Sequence, residues 1–321
     1  MTRFLLRRLA STAAVLLALS VLVFLIFFAT PGIDPARQMA GRSATPETLA
    51  TVRRTFGLDQ PLPVQYWRLM RSLVIDRDLE SYTNRGVRVL PELAAAAPVT
   101  ISLVVGAAVL WVVFSILLGV VSARRPNGVV DRVIMVGSLV SLSVPVFWLG
   151  QVANLLTQGV GHSTVFAWVP PLGYTPLTQD PVLWFRHLVV PWVVLATLYV
   201  GLYARIFRSA LIDSGRQDFV RTARAKGLTE PQVQLRHLVR PSLGTFANLF
   251  ALDIGALVAG GALLVEVVFG LPGIGRLTYL SLTGLDLPVI MAAVLYGGAI
   301  VVVANMVIDV VHARLDPRVR A

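Results

Sequence analysis

The sequence contains no cysteine and a single lysine, Lys226, among its 321 residues. Without cysteine the chain cannot form a disulfide, a thiolate metal site or a cysteine nucleophile. The four histidines show no H-E-x-x-H or other ligand spacing, so no metal site is predicted.

Motifs for nucleotide and covalent chemistry are also missing. No G-x-x-x-x-G-K-[ST] phosphate loop occurs, because no matching glycine pattern precedes Lys226, and there is no G-x-S-x-G nucleophile elbow. We therefore expect a chain that neither hydrolyses ATP nor cleaves covalent bonds by itself, and that carries no cofactor of its own.

Charged residues are scarce, at 14% of the chain, whereas 56% of the residues are hydrophobic. Uncharged runs such as 9–33 and 93–123 exceed the roughly 20 residues that a helix needs to cross a bilayer. The first run is too long for the apolar core of a signal peptide, and no A-x-A site closes it, so we interpret it as a retained span. The sequence predicts an all-α membrane protein with six spans, at 9–29, 98–121, 133–157, 188–208, 244–267 and 289–311.

The distribution of basic residues predicts the orientation of these spans. Lys and Arg number three in the N-terminal stretch, three in 122–132, eight in 205–240 and three in the C-terminal tail. The shorter loops on the opposite side carry one each, Arg186 and Arg276. By the positive-inside rule both termini lie in the cytoplasm of a bacterial or archaeal cell. The net charge of +11 then reflects membrane sidedness, and nucleic-acid binding is not expected.

The chain divides into three predicted regions. Residues 1–29 hold the N-terminus and first span, 30–97 form an extracytoplasmic helical segment, and 98–321 form the core with a cytoplasmic loop at 210–243. In the outer segment, Thr45 with Pro46 is typical of a helix start, and the stretch from Gly57 to Pro63 separates this helix from a second one. The segment either caps the span ends or docks an external partner, and the two roles are compatible.

Asp253 lies about ten residues into the fifth predicted span. An ionisable side chain there is costly, so we expect it to face inward, either lining a path or pairing within the bundle. Ser141 and Asn154 give the third span weaker polar character, and we regard them as further path candidates or as helix–helix contacts. Small residues near Asp253, such as Gly255 with Ala259, predict close helix packing.

The cytoplasmic stretch 218–243 reads "DFVRTARAKGLTEPQVQLRHLVRPSL". Asp218 can cap a helix that runs through Lys226, and Gly227 suits the left-handed position that ends it. The run Thr229–Gln232 fits a capping box with proline in the first turn. Because Ala223 and Gly227 are small and four residues apart, a partner could approach that face closely.

Six stretches, taken in order, resemble the dipeptide/oligopeptide/nickel subfamily of binding-protein-dependent ABC importer permeases, and the resemblance covers nearly the whole chain. The glutamate that names the EAA loop of these permeases falls on Arg221 and its first alanine on Thr222, whereas Ala223 and Gly227 match. R-T-A-R-A-K-G is the usual form in this subfamily. The stretches are "FGLDQPLPVQYW" (56–67), "GVVSARRPNGVVDR" (119–132), "RTARAKGL…RHLVRPSL" (221–243), "VEVVFGLPGIGRL" (265–277), "DLPVI" (286–290) and "DVVHARLDPRVR" (309–320).

The resemblance implies a B-type permease subunit that imports peptides. Its partners would be a homologous permease subunit, two cytoplasmic ATPase subunits that bind ATP and Mg²⁺, and an extracytoplasmic substrate-binding protein, all arranged about the lipid bilayer. The loop between spans four and five would be the coupling helix, and the "VEVVFGLPGIGRL" motif would form an outer gate. The implied ATPase-docking residues are Arg221, Thr222, Ala223, Arg224, Ala225, Lys226, Gly227 and Leu228. The implied outer-gate residues are Glu266, Phe269, Pro272, Gly273 and Gly275.

Other functions stay open at this point. The same architecture imports nickel or another small solute in some subfamily members. A stand-alone secondary transporter is a second alternative, motivated by Asp253 within a span. A membrane-embedded hydrolase would need a nucleophile and a base, and the sequence shows no such pair.

Overall fold

The computed structural model describes residues 2–28, 35–40, 44–84, 86–160 and 165–315. Within these ranges all regular structure is helical, apart from one isolated antiparallel bridge between Glu80 and Arg88, so the predicted all-α class is confirmed for the described chain. The helices are α1 Thr2–Phe28, α2 Pro35–Ala40, α3 Pro46–Phe56, α4 Leu62–Arg71, α5 Val89–Arg124, α6 Val129–Ser143, α7 Val146–Asn154, α8 Pro181–Gly215, α9 Asp218–Ala225, α10 Glu230–Val233, α11 Arg240–Ala256, α12 Leu263–Phe269, α13 Ile274–Gly284 and α14 Leu287–Leu315.

The described residues form two compact units. The first comprises those of Met1–Thr100, Val258–Leu263 and Pro272–Ala321. The second comprises Ile101–Leu257 and Leu264–Leu271. The tail at 316–321, with the end of the 309–320 stretch, and residues 29–34 at the end of the predicted first span lie outside the described residues.

The first unit is built on α1, the outer segment and α14. Thr45 caps α3 by accepting a hydrogen bond from the Thr48 amide at 3.2 Å, and Gly57 ends that helix at φ +65°, as predicted from the sequence. The side chain of Tyr66 on α4 lies edge-on to Phe24 and forms a 2.7 Å hydrogen bond with Ser20, both on α1. Helix α4, in the segment that the sequence predicts to be extracytoplasmic, therefore packs on the first helix.

Asp286 anchors the loop that precedes α5. Its carboxylate accepts hydrogen bonds from the Ser81 hydroxyl and from the amides of Tyr82 and Thr83, the latter two at 3.0 and 3.4 Å. Asp286 is buried, and its own backbone carbonyl accepts from the amide of Ile290 in the first turn of α14. The "DLPVI" motif thus begins a helix and holds a loop about 200 residues earlier in the sequence.

Close helix contacts in the second unit depend on glycine. The Trp192 ring of α8 packs directly on Gly106 of α5, and its Nε1 donates to the Ser102 carbonyl at 2.9 Å. Gly201 of α8 lies against the Ser138 carbonyl and the Ser141 hydroxyl of α6. These contacts leave no room for a side chain at either glycine.

Among the described residues, two helices, Val89–Arg124 and Pro181–Gly215, are long and apolar enough to cross a membrane. Two bent pairs raise the number to four if each is one span: Val129–Ser143 with Val146–Gly159, and Leu252–Gly261 with Leu263–Phe269. Ala13–Phe27 and Leu287–Val303 are shorter apolar helices.

The predicted span 133–157 is not one continuous helix, because the chain bends by 94° after Ser143. Val144 is extended, at φ −88° and ψ 122°, as expected for a residue that precedes proline. The fifth predicted span, 244–267, also bends, by 48°, where Gly260 adopts φ +138°. Gly260 thus permits a break in the helix, because glycine adopts this backbone conformation without strain.

The contact between Trp192 and Gly106 yields a stability prediction. Gly106→Ala should destabilise the protein by about 1–3 kcal/mol, because the new methyl group overlaps the indole ring. The matched control is Gly137→Ala in α6, where a Cβ meets nothing within 4 Å and the loss of glycine flexibility should stabilise by up to about 1 kcal/mol. Thermal unfolding of the purified protein in detergent measures both, and equal melting temperatures for the two variants would contradict the packing.

Candidate functional site

The loop that the sequence predicts to be cytoplasmic forms a two-helix hairpin, 217–239, which we call the coupling hairpin. Helix α9 ends in a Schellman motif: the Leu228 amide donates to the Ala223 carbonyl at 3.3 Å, and the Gly227 amide donates to the Arg224 carbonyl at 3.0 Å. Gly227 has φ +80°, the left-handed conformation predicted for it. The first helix is therefore closed by local geometry.

The second helix of the hairpin begins with the predicted capping box. The Thr229 amide donates to Gln232 Oε1 at 3.1 Å, and Pro231 lies in the first turn. One detail of the prediction is wrong: Gln217 occupies the N-cap of α9, and Asp218 is the first helical residue, where its charge favours the helix dipole. A π-helical turn, Gln234–Val239, then leads into α11.

A small apolar core holds the two hairpin helices together. Val220, Ala223 and Val233 are buried, and Leu228 and Leu238 pack against them. The expectation that Ala223 offers a close approach to a partner is therefore wrong, because its methyl group faces the other hairpin helix. Of the two small residues, Ala223 and Gly227, only Gly227 is exposed.

The solvent-exposed face of the hairpin is basic. Arg221, Thr222, Ala225 and Lys226 are exposed, and Arg224 pairs with Glu230 through two hydrogen bonds of 2.7 and 3.2 Å. The Arg224 guanidinium lowers the pKa of the Glu230 carboxyl below its ordinary value. The pair therefore supports the hairpin at neutral pH, and this support is lost as the pH falls through the lowered pKa of Glu230.

A buried ion pair joins the start of α6 to α8. Asp131 at the start of α6 accepts two 2.6 Å hydrogen bonds from the Arg208 guanidinium on α8, and it also accepts from the Ser122 hydroxyl and, at 2.7 Å, from the Asn127 amide. Sequence reasoning missed this cluster. The one signal was an acid inside the "GVVSARRPNGVVDR" motif, and its partner lies 77 residues away.

Gln234 connects the hairpin to the same region. Its amide nitrogen donates to the Val120 carbonyl of α5 at 3.3 Å, and its oxygen accepts from Arg124 Nε at 3.1 Å. The second hairpin helix is thus fastened to the end of α5, just before the loop that carries Asn127.

The path candidates lie in separate surroundings. Asp253 accepts a 2.5 Å hydrogen bond from the Tyr203 hydroxyl, so the predicted pairing within the bundle is present. Ser141 donates to the Ser138 carbonyl at 2.9 Å and lines an apolar cavity of about 390 Å³. Asn154 is buried and donates to the Val268 carbonyl at 2.8 Å. The last two side chains make the helix contacts that were the alternative to a path role.

The outer-gate motif is divided between the two units. In the second, Glu266 is fully buried, Phe269 is buried as the last residue of α12, and Gly270 after it has φ +66°. In the first, Gly273 is the N-cap of α13, Gly275 is buried in its first turn and Pro272 is exposed. Within the described ranges, no group of three or more His, Asp or Glu side chains could hold a metal ion.

Comparison with known proteins identifies relatives along the full length. The family of binding-protein-dependent transport system inner membrane components matches residues 115–321, and the N-terminal region of such membrane components matches residues 1–104. A putative peptide transport system permease protein of Brucella abortus is 36% identical over 320 residues, which cover 100% of this chain and 99% of the relative. A probable peptide ABC transporter permease protein of Sinorhizobium fredii is 33% identical over 319 residues, covering 99% of both chains. A glutathione transport system permease protein of Salmonella paratyphi A is 34% identical over 320 residues, covering 100% of this chain and 99% of the relative.

The buried ion pair should contribute far more to stability than an exposed one. Asp131→Asn leaves the Arg208 charge unpaired, and we expect a loss of about 3–5 kcal/mol. The control is Asp218→Asn, which removes an exposed pair with Arg221 at 3.6 Å and should have little effect. Thermal unfolding in detergent measures both, and comparable melting temperatures would mean that the buried pair adds no stability.

Proposed function

Since the chain belongs to the binding-protein-dependent transport system inner membrane component family, we propose that it forms half of the membrane path of an ATP-driven peptide importer. The observation that carries the substrate class is the end-to-end similarity to permeases named for peptide transport and for glutathione, itself a small peptide. None of these three names refers to nickel, so the nickel alternative gains no support. A stand-alone secondary transporter does not fit a family that depends on binding proteins.

The proposed assembly contains this permease, a homologous sister permease, two cytoplasmic ATPases and an external binding protein. The chain itself supplies no phosphate loop, so energy must enter through a contact with the ATPases. This subunit is then non-catalytic.

The coupling hairpin is the proposed ATPase contact. Its Schellman turn, capping box and Arg224–Glu230 pair fix its shape, so a push on one helix moves the hairpin as a unit. Arg221, Thr222, Ala225 and Lys226 are exposed and available for docking. Ala223 and Leu228 act differently: they hold the two helices together.

From the hairpin, motion has two routes into the membrane region. One passes through the π-helical turn into α11, and the other passes through Gln234 to the end of α5. Closure of the two ATPases would favour one hairpin position over another, which is the differential contact that any coupled switch requires. The path then alternates between outward- and inward-facing states, with the motif from Glu266 to Gly275 as its outer gate.

We also propose the six-span topology with both termini in the cytoplasm. The N-terminal segment at 1–29 and the core at 98–321 hold the spans, and 30–97 lies outside, where it caps the bundle and offers a surface to the binding protein. The positive-inside distribution supports this orientation. The cytoplasmic membrane of a bacterium or archaeon is the corresponding location.

Peptide uptake in a deletion strain tests the function. The chain, co-expressed with its sister permease, ATPases and binding protein, should restore uptake of labelled di- to oligopeptides but not of nickel. Arg221→Glu should lower both uptake and the yield of co-purified ATPase about tenfold, equivalent to about 1.4 kcal/mol of contact energy.

The matched control for that variant is Arg125→Glu, the same charge reversal at an exposed arginine outside the hairpin. It should retain uptake and assembly. Normal ATPase co-purification with Arg221→Glu would contradict the docking surface, and restored nickel uptake without peptide uptake would contradict the substrate class.

The absence of cysteine makes the topology directly testable. In cells whose outer membrane is permeabilised and whose inner membrane stays closed, a membrane-impermeant maleimide should label Gln179→Cys but not Arg125→Cys. Both residues are exposed, so both should be labelled after the inner membrane is opened. The wild-type chain is the blank, and labelling of Arg125→Cys in closed cells would overturn the proposed orientation.

A further inference from the structure

Asp253 lies beside a group of aromatic rings contributed by three helices. Tyr203 donates to its carboxylate, and the Tyr203 ring lies 5.0 Å from Trp111 and 4.9 Å from Phe246. Phe250, one helical turn before Asp253, lies 4.8 Å from Trp111. The members of this aromatic group are Trp111, Tyr199, Tyr203, Phe246 and Phe250.

The charge of Asp253 is only partly compensated. Tyr203 is the single hydrogen-bonding side chain that the described residues offer its carboxylate, and none of their cations forms an ion pair with it. The contrast with Asp131 is clear, because that carboxylate receives an arginine, a hydroxyl and a backbone amide. Asp253 therefore keeps an unused capacity for a positive partner.

Asp253 is also partly exposed. Asp253, Tyr199 and Phe250 are half-buried, whereas Trp111 and Tyr203 are fully buried. A carboxylate that opened toward lipid would be costly, so the exposed side of Asp253 is expected to face the path. Tyr199 and Phe250, which both pack on Trp111, are then the rings of the group that can form the wall of a subsite with Asp253.

The chemistry of this wall suits an organic ammonium group. The carboxylate supplies charge attraction, and tyrosine and phenylalanine faces attract a cation that has lost part of its water. An anionic or apolar ligand would gain nothing from the carboxylate. We propose that Asp253 and the aromatic group hold the ammonium group of a peptide as it crosses the membrane, an inference that rests on the proposed importer function.

An ammonium subsite would explain how one path accepts peptides of differing side chains. The α-ammonium group is common to every unmodified peptide, so a site for it is independent of sequence. A lysine side chain offers the same chemistry, and the experiment separates the two sources.

Equilibrium binding to the purified permease–ATPase complex, without binding protein, tests the proposal. Scintillation proximity would compare radiolabelled trialanine with N-acetyl-trialanine, which lacks the charge. The wild type should prefer trialanine about tenfold, and Asp253→Asn should abolish this preference. A third probe, N-acetyl-Ala-Lys-Ala, binds like trialanine if a lysine ammonium is accepted and like N-acetyl-trialanine if only the α-ammonium is.

Tyr203→Phe distinguishes recognition of the ammonium group from a purely structural role of the Tyr203–Asp253 hydrogen bond. It removes the hydrogen bond but keeps the charge, so the preference for trialanine should persist. If Asp253→Asn and Tyr203→Phe both lost binding of trialanine and of N-acetyl-trialanine to the same extent, the hydrogen bond between the two residues would have a structural role only, and the proposal would be wrong.

Absence of any preference in the wild type would overturn the subsite even if Asp253→Asn failed to assemble. Peptide uptake by the wild type is measured in parallel. Uptake without an ammonium preference refutes only this inference, whereas absence of peptide uptake refutes the proposed function.

Discussion

The hydrocarbon interior of a bilayer supplies no hydrogen-bond partners, so each interruption of a membrane helix must be satisfied from within the protein. The same requirement applies to helix ends that pack against apolar helices, and two polar side chains satisfy backbone groups there. Asn154 donates to the Val268 carbonyl near the end of α12, and Thr100 accepts from the Ile274 amide at the start of α13. Polar residues in apolar helices therefore have a structural use before any role in transport. For Asn154, a path candidate by sequence, this contact accounts for the amide nitrogen, whereas its Oδ1 is buried without a hydrogen-bond partner among the described residues.

Features encoded within a few residues could be predicted from the sequence. The end of α9 at Gly227 and the Thr229–Gln232 capping box depend on neighbours no more than five residues apart. Asp253 was expected to face inward because a lipid-facing carboxylate is costly, but its partner, Tyr203, was not predictable. The ion pair between Asp131 and Arg208 could likewise not be predicted, since this pair and the Tyr203–Asp253 pair each join residues that are distant in sequence. The bend after Ser143 was missed although Pro145 signals it, because hydropathy reports the length of an apolar run and carries no information on the direction of the helix axis.

The two ion pairs near the coupling hairpin have different physical consequences. Arg224–Glu230 is exposed, so water and salt screen it, and its main effect is on the shape of the hairpin. Asp131 is buried and Arg208 is mostly so, so breaking the pair leaves a largely desolvated charge without its partner. The Asp131–Arg208 pair joins α6 to α8 and lies outside the hairpin, whereas Gln234 joins the hairpin to α5.

The burial of Ala223 changes how the EAA-type motif is interpreted in this chain. In a linear motif every position looks equally available to a partner, yet Ala223 and Val220 face Val233 inside the hairpin. An alanine there is explained by the space between two helices, so its size carries no information about the ATPase. In the proposed ATPase contact, the recognition energy comes from side chains that remain exposed, and Arg221 is the most direct candidate because it occupies the position of the motif's acid. A partner that docks on this chain should therefore present a surface that complements a cation rather than a carboxylate.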